Sequence, residues 1–332
     1  MPNYAIFVAC TPKYKKHVNA LLNSFEKRRL YRGCNLTVYV LHYNGINKEW
    51  LQAITEAFSF KVIPIKIKRE DIKHPPGMND IEFVKRSRFH YIVEYGIYYD
   101  VICLLDADMF MVSQDFIKLF DLVNGTTQLI GCNEKIKWTI GNNYQYESKP
   151  IFGIPQKLYN MTCSVPIIFN YGKWRRVFEY YLKIAYFGRQ LKDDNWVGVG
   201  DIMSWNISVL KQNKQNDVIV FPMESMCQVH RTYMHPDKYV QVENDYWYTA
   251  GGDKIYSIQG RWNTNLDFVD SSMAWCEENM FEKLGRNDGG KILPKIRKGL
   301  EAIQQEWYLL NFCSTLILDE ENIWKSFNRR GK

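Results

Sequence analysis

Two carboxylates, Asp106 and Asp108, stand one residue apart at the end of an unbroken apolar run, in the stretch Tyr99-Asp-Val-Ile-Cys-Leu-Leu-Asp-Ala-Asp-Met-Phe-Met-Val112. Burying like charges is unfavourable unless they are paired or hold a metal. In extended backbone, residues two apart point to the same side, so the two carboxylates converge. Ala107 between them is small enough to let a ligand approach. Hard oxygen ligands suit Mg²⁺ or Mn²⁺. An ion held by few carboxylates keeps part of its water and takes its remaining ligands from substrate phosphates. A nucleotide diphosphate is the partner this chemistry implies.

The elements that must position this pair can be read from periodicity. Val101 to Leu105 is short, continuous and apolar, the pattern of a strand buried on both faces. Upstream, strand and helix patterns alternate: strands at Tyr4–Cys10, Leu36–His42 and Phe60–Ile67, helices at Lys13–Arg29 and Lys48–Phe58. A loop with His74-Pro-Pro-Gly77 and a helix from about Ile81 to Tyr95 follow. This predicts an α/β fold with a Rossmann-type, mostly parallel sheet and helices on both faces. Ligands of such sheets sit at the carboxyl ends of the strands. Cys10-Thr-Pro-Lys-Tyr14 and Asp106-Ala-Asp108 both fall there.

Further on, the pattern predicts a buried strand at Pro166–Asn170, a helix at Gly172–Phe187 and a helix opened by Gly198-Val-Gly-Asp201 and reaching about Leu210. A short strand, Val218–Phe221, comes next. Asn133 to Ile151 reads as a long loop over the site. From Asn265 helices dominate. There Leu293, Ile296, Leu300, Ile303, Trp307 and Leu310 recur at helical spacing, a stripe suited to its own domain or to a dimer or membrane-surface contact. The expected organisation is a first half at 1–112 that carries the acidic pair, a second half of the same domain at 113–264, and a mainly helical extension at 265–332.

The charge of +7 favours an anionic ligand without demanding nucleic acid. Eight cysteines show no CxxC pair and several lie in apolar runs, which points to reduced, buried thiols in a cytoplasmic protein rather than a disulfide framework or a zinc site. The chain opens directly into a strand without a secretory signal pattern, and no run of about 18 apolar residues predicts a spanning helix.

With these surroundings the acidic stretch resembles the nucleotide-sugar-dependent glycosyltransferases of the GT-A fold, most closely the glycogenin-like and galactinol-synthase-like retaining family, over roughly residues 4 to 222. Phe7-Val-Ala-Cys-Thr11 is similar to the opening strand and loop that receive the nucleobase, which implicates Cys10, Thr11 and, on the same lip, Tyr14. Lys85-Arg-Ser-Arg-Phe-His90 resembles the family's basic helix, which would set Arg88, with Lys85, on the donor diphosphate. Leu104-Leu-Asp-Ala-Asp108 matches aliphatic-Asp-Ala-Asp, implying that Asp106, Ala107 and Asp108 meet the cation and donor. Ile167-Ile-Phe-Asn-Tyr-Gly172 resembles Phe-Asn-Ser/Ala-Gly, and Gly200-Asp-Ile-Met-Ser-Trp-Asn206 resembles Gly-Asp-Gln-x-x-Leu-Asn.

The resemblance implies a nucleotide-diphosphate sugar donor, Mn²⁺ or Mg²⁺, and retention of configuration. Asp201 and Asn170 are then the candidates to stabilise an oxocarbenium-like transition state. Under inversion Asp201 would be the general base. Two departures stand out: Ile202 replaces the family's Gln, and the late His-x-x-Gly corresponds to Ser257-Ile-Gln-Gly260, with Ser257 where the metal-binding His is expected. His230 or His235 could supply that ligand, or water could. The acceptor, whether glycan, protein, lipid-linked glycan or modified nucleic acid, would meet the aromatic second half (Trp138, Tyr144, Tyr146, Trp196, Tyr246, Trp247, Tyr248).

Plainer roles compete. Gly-Asp before a helix is ordinary capping, Arg88 can be a solvated helix residue, Asn170 a satisfied core amide and His230 structural. A haloacid-dehalogenase-type phosphatase also carries Asp-x-Asp after a buried strand, but near its N-terminus and with Thr or Val where this chain has Phe110. A GT-A-fold sugar-binding protein with weak or lost turnover is the rival from another class.

Overall fold

The computed structural model describes residues 1–133, 165–186, 188–190, 196–198, 201–226, 238–260, 268–274, 276 and 286–312. The first half alternates as its sequence predicts: β1 (Asn3–Cys10), α1 (Lys15–Lys27), β2 (Asn35–His42), α2 (Lys48–Glu56), β3 (Lys61–Lys66), α3 (Asp80–Tyr95) and β4 (Val101–Leu105). Then come β5 (Met109–Met111), α4 (Lys118–Val123), β6 (Leu129–Asn133), β7 (Ile167–Asn170), α5 (Tyr171–Ile184), β8 (Gly188–Gln190) and β9 (Trp196–Gly198). The remainder holds α6 (Asp201–Lys211), β10 (Val218–Pro222), α7 (Met223–Met226), β11 (Val240–Glu243), β12 (Tyr246–Thr249), β13 (Ser257–Gln259) and the long helix α8 (Arg286–Phe312).

Seven strands form one sheet in the order β10-β6-β7-β4-β1-β2-β3. All its pairings are parallel except those of β7, which runs against both β4 and β6. Every residue of β4 is buried, as its continuous apolar run requires of a strand covered on both faces. The chain stays apolar beyond the carboxylates for a different reason. Met109–Met111 leaves the main sheet and pairs antiparallel with β13 (Gln259 opposite Met109), all three methionine-phenylalanine side chains being buried.

The loop between β3 and α3, which carries His74-Pro-Pro-Gly77, is tied to the carboxyl end of the sheet by Arg69. Its guanidinium donates to Tyr43 Oη (3.1 Å), to the Met78 carbonyl (2.6 Å) and to Asp80 (3.0 Å), and lies 4.7 Å from the Phe83 ring centre. Asn79 then caps α3 by accepting from the Glu82 amide.

The apolar stripe of α8 is spent within the chain. Ile296, Leu300, Ile303, Trp307 and Leu310 are buried in one cluster with Val240, Trp247 and Ile258. Asn23 of α1 donates to the Leu310 carbonyl (2.9 Å), and Lys27 and Arg28 grip Glu306. A Cβ on Gly299 would run into the Val240 carbonyl, so only glycine lets α8 approach β11 this closely. Among the described residues no helix is long and apolar enough to cross a membrane. Several boundaries are tighter than expected: Pro12–Tyr14 is a short 3₁₀ turn before α1, which ends at Lys27, α2 ends at Glu56, β3 spans Lys61–Lys66, and α5 ends at Ile184.

Candidate active site

Asp106 begins where β4 ends, and the neighbouring strand β1 ends alongside it, since Val8 faces Leu105 in register. Cys10, Thr11 and Tyr14 therefore line the adjoining lip. Cys10 is fully buried and its carbonyl accepts from the Tyr43 amide (3.0 Å). Burial pushes its thiol up to about 12, so it offers no thiolate at neutral pH. The Thr11 carbonyl accepts from the Tyr14 amide (2.8 Å), closing the turn that leads into α1.

Arg88 reaches this edge from α3, which buries Phe83, Phe89 and Ile92 in the main core. It is not a solvated helix residue: its side chain is only 3% exposed. Nη1 donates to Asp106 Oδ1 at 2.7 Å and reaches the Leu105 carbonyl at 3.4 Å, while Nε donates to the Lys85 carbonyl at 3.0 Å. Nη2 lies 3.9 Å from Asp201 Oδ2. Burial works against the cation, yet the charges of Asp106 and Asp201 outweigh it and raise its pKa. Lys85 itself is exposed on α3 and contributes its backbone.

Asp201 opens α6 and its carboxylate is 15% exposed. Tyr181 of α5 donates to its Oδ1 at 2.5 Å and stacks on Phe89 with ring centres 3.8 Å apart. Burial first, then the Asp201 charge, hold the Tyr181 hydroxyl far above its ordinary value, so it stays a donor. Three helices and the end of β4 thus converge: Tyr181 of α5 holds Asp201 of α6, Asp201 faces Arg88 of α3, and Arg88 faces Asp106.

Gln259 completes the group. Its Nε2 lies 3.1 Å from Asp106 Oδ2 and 3.2 Å from Asp108 Oδ1. One atom within hydrogen-bond reach of both carboxylates shows that they converge, but through a turn between β4 and β5, in which the Met109 amide donates to the Asp106 carbonyl (3.3 Å), rather than through the extended backbone expected. Two carboxylates aimed at one point, with an amide beside them, form an oxygen-rich set that fits a hard divalent ion. Among the described residues no third Asp, Glu, His or Cys joins them.

Several expectations need correction or fall elsewhere. Asn170 is not at the site: it pairs with Val101, at the start of β4, while Ile167 pairs with Leu104. Because β7 runs antiparallel, Asn170 lies about 16 Å along the strand from Asp106, at about 3.3 Å per residue. There its side chain accepts from the Lys173 amide and caps α5. A strand parallel to β4 would end beside Asp106; the antiparallel one carries Asn170 to the opposite end. Ser257 is buried and donates to the Met226 carbonyl (2.6 Å), so within Ser257-Ile-Gln-Gly260 it is Gln259 that reaches the carboxylates. His230, His235, Trp138, Tyr144 and Tyr146 lie outside the described residues. Sequence reasoning missed Gln259 and Tyr181. The signal for Gln259 was the same four-residue match, read for its first position rather than its third.

Among solved structures the chain is similar to a galactosyltransferase, LgtC, in complex with donor and acceptor sugar analogues. The identity is 15%, with a TM-score of 0.55, covering 97% of this chain and 99% of that one. An active-site mutant of LgtC gives 15% identity and a TM-score of 0.51 over 82% of this chain and 95% of its own. The fold is that of the GT-A glycosyltransferases. Mouse xyloside xylosyltransferase 1, in its apo form, is a more distant likeness at 13% identity and a TM-score of 0.47, over 80% of this chain and 99% of that one. No family model matches the sequence, and no curated protein does. In GT-A terms, the Asp-Ala-Asp of this chain occupies the carboxyl end of a central strand, beside the end of β1.

Proposed function

We propose that this chain is a glycosyltransferase that moves a sugar from a nucleotide-diphosphate donor to a carbohydrate-type acceptor, using Mn²⁺ or Mg²⁺ at Asp106 and Asp108. The observation that carries this is the convergence of both carboxylates on one point at the strand end of a GT-A fold. When bound, such a cation neutralises charge on the donor diphosphate. The chain's own residues set the stage: Arg88 fixes one oxygen of Asp106, leaving the pair oriented rather than free to splay. Asp201, held by Tyr181, keeps the guanidinium in place and acts as a positioning residue. The Cys10–Tyr14 lip would receive the nucleobase, as the family resemblance implies.

Retention of anomeric configuration belongs to the same reading, on the strength of that resemblance. So do the division into a donor half at 1–112, an acceptor half at 113–264 and the extension beyond, and a reducing, cytoplasmic setting, which the buried free thiols Cys10, Cys34, Cys103, Cys132 and Cys276 favour. The phosphatase alternative has no support from the GT-A likeness. A panel of nucleotide sugars incubated with the protein and Mn²⁺ tests the proposal. Release of nucleoside diphosphate from one donor, abolished by chelation, is expected; no turnover of any donor would contradict it.

A further inference from the structure

Resting on the proposed function for the presence of a cation, we infer that Gln259 is the third protein ligand of the site. It clamps the carboxylates when the cation is absent and turns its amide to ligate when the cation is present. Its backbone is fixed beside the acidic pair. Gln259 pairs with Met109 in the β5–β13 ladder, and the next residue, Gly260, donates its amide to the Asp108 carbonyl at 3.1 Å. The preceding Ile258 and Ser257 are buried, with Ser257 anchored on Met226. The side chain is thereby delivered between Asp106 and Asp108 by a rigid strand rather than by a loop, which is how preorganised ligands are held.

The chemistry of a carboxamide suits both states. Two carboxylates facing one point repel each other, and a neutral NH₂ that donates one bond to each offsets that repulsion while no cation is there. A half-turn about the Cγ–Cδ bond exchanges Nε2 for Oε1 at nearly the same reach. The site then presents three oxygens, a hard set. Glutamate at this position could ligate but would add a third anion to the empty site. The neutral oxygen ligand also predicts that Mg²⁺ competes well with Mn²⁺, with little bias toward softer ions such as Zn²⁺.

The test titrates the full chain with Mn²⁺ alone, reading free ion by electron paramagnetic resonance, for wild type, Gln259→Ala and Gln259→Glu. Melting temperatures are taken in chelator and in Mn²⁺. If Gln259 is a ligand, the Ala variant binds Mn²⁺ about tenfold more weakly or worse, at the low end of what losing a metal-site partner costs. The Glu variant binds at least as tightly as wild type but melts lower in chelator. If the amide only plugs the site, the Ala variant binds equally or more tightly, and the inference is overturned. Should the Ala variant fail to fold, the Glu variant decides alone: tighter binding supports the ligand role and weaker binding overturns it. Wild type that binds no Mn²⁺ would remove this inference together with the metal part of the proposed function. Wild-type binding with an unaffected Ala variant would remove this inference only.

Discussion

Arg88 donates to Asp106 at 2.7 Å from a side chain that is 3% exposed, while Asp106 itself keeps 35% of its side chain in solvent. The cation is thus interior and the anion sits at the rim. Such a pair behaves asymmetrically. Removing the rim carboxylate strands a buried charge, which among the described residues leaves Asp201 at 3.9 Å to answer it.

Asp106→Ala should therefore destabilise the fold by about 3 kcal/mol, the cost of breaking a buried ion pair. Asp108→Ala, which leaves Arg88 paired, should cost clearly less. Urea unfolding of both variants measures this. Equal losses would mean that Arg88 does not depend on Asp106.

Tyr181→Phe removes the hydroxyl that donates to Asp201 at 2.5 Å. A hydrogen bond to a charged group contributes about 1.5 to 3 kcal/mol, so a stability loss in that range is expected. Because Asp201 acts through Arg88, Asp201→Asn should weaken donor binding and turnover together. A loss confined to kcat, with KM unchanged, would instead put Asp201 against the reacting sugar.

Burial lowers the pKa of His90, and burial followed by the Lys66 charge lowers that of His42. In the unfolded chain both titrate near about 6.5. As pH falls below that value the unfolded state takes up protons that the folded imidazoles resist, so the proton count favours unfolding and stability drops. The melting temperature should decline from pH 7.5 to 5.5, with a shallower decline in His90→Gln. An unchanged slope in that variant would remove His90 from the account.

The parts of the fold that depend on local pattern were legible in the sequence. β4 has the boundaries its apolar run implies, and the alternation before it gave the parallel order of β1, β2 and β3. Strand direction was not legible: nothing local in Ile167-Ile-Phe-Asn170 says that it opposes β4, and that one reversal moved Asn170 from the site to the far edge. The β5–β13 pairing links residues about 150 positions apart, a separation no periodicity reports, and with it Gln259 was lost from view. Arg88 and Asp201 were singled out by the family resemblance of their motifs. Their mutual placement rests on α3 and α6 meeting at one edge, which only tertiary structure shows.

Glu306 ties α8 to α1 through Lys27 at 2.8 Å and Arg28 at 3.1 Å, with Glu306 only 8% exposed. Glu306→Ala should cost about 2 kcal/mol: more than an exposed pair is worth, less than a fully buried one, because Lys27 regains water. Thermal unfolding checks it. A loss under about 0.5 kcal/mol would class the contact with surface ion pairs.

The central claim is that Asp106 and Asp108 act on a donor diphosphate through a divalent cation. Calorimetry of the tightest-binding nucleoside diphosphate, with Mn²⁺ and with chelator, tests it on wild type and Asp108→Asn, a change that keeps the shape and removes the charge. Wild type should bind at least tenfold more tightly in Mn²⁺ than in chelator, and Asp108→Asn should lose that gain while melting within a few degrees of wild type. An Asp108→Asn variant that keeps the full Mn²⁺-dependent affinity would contradict the account.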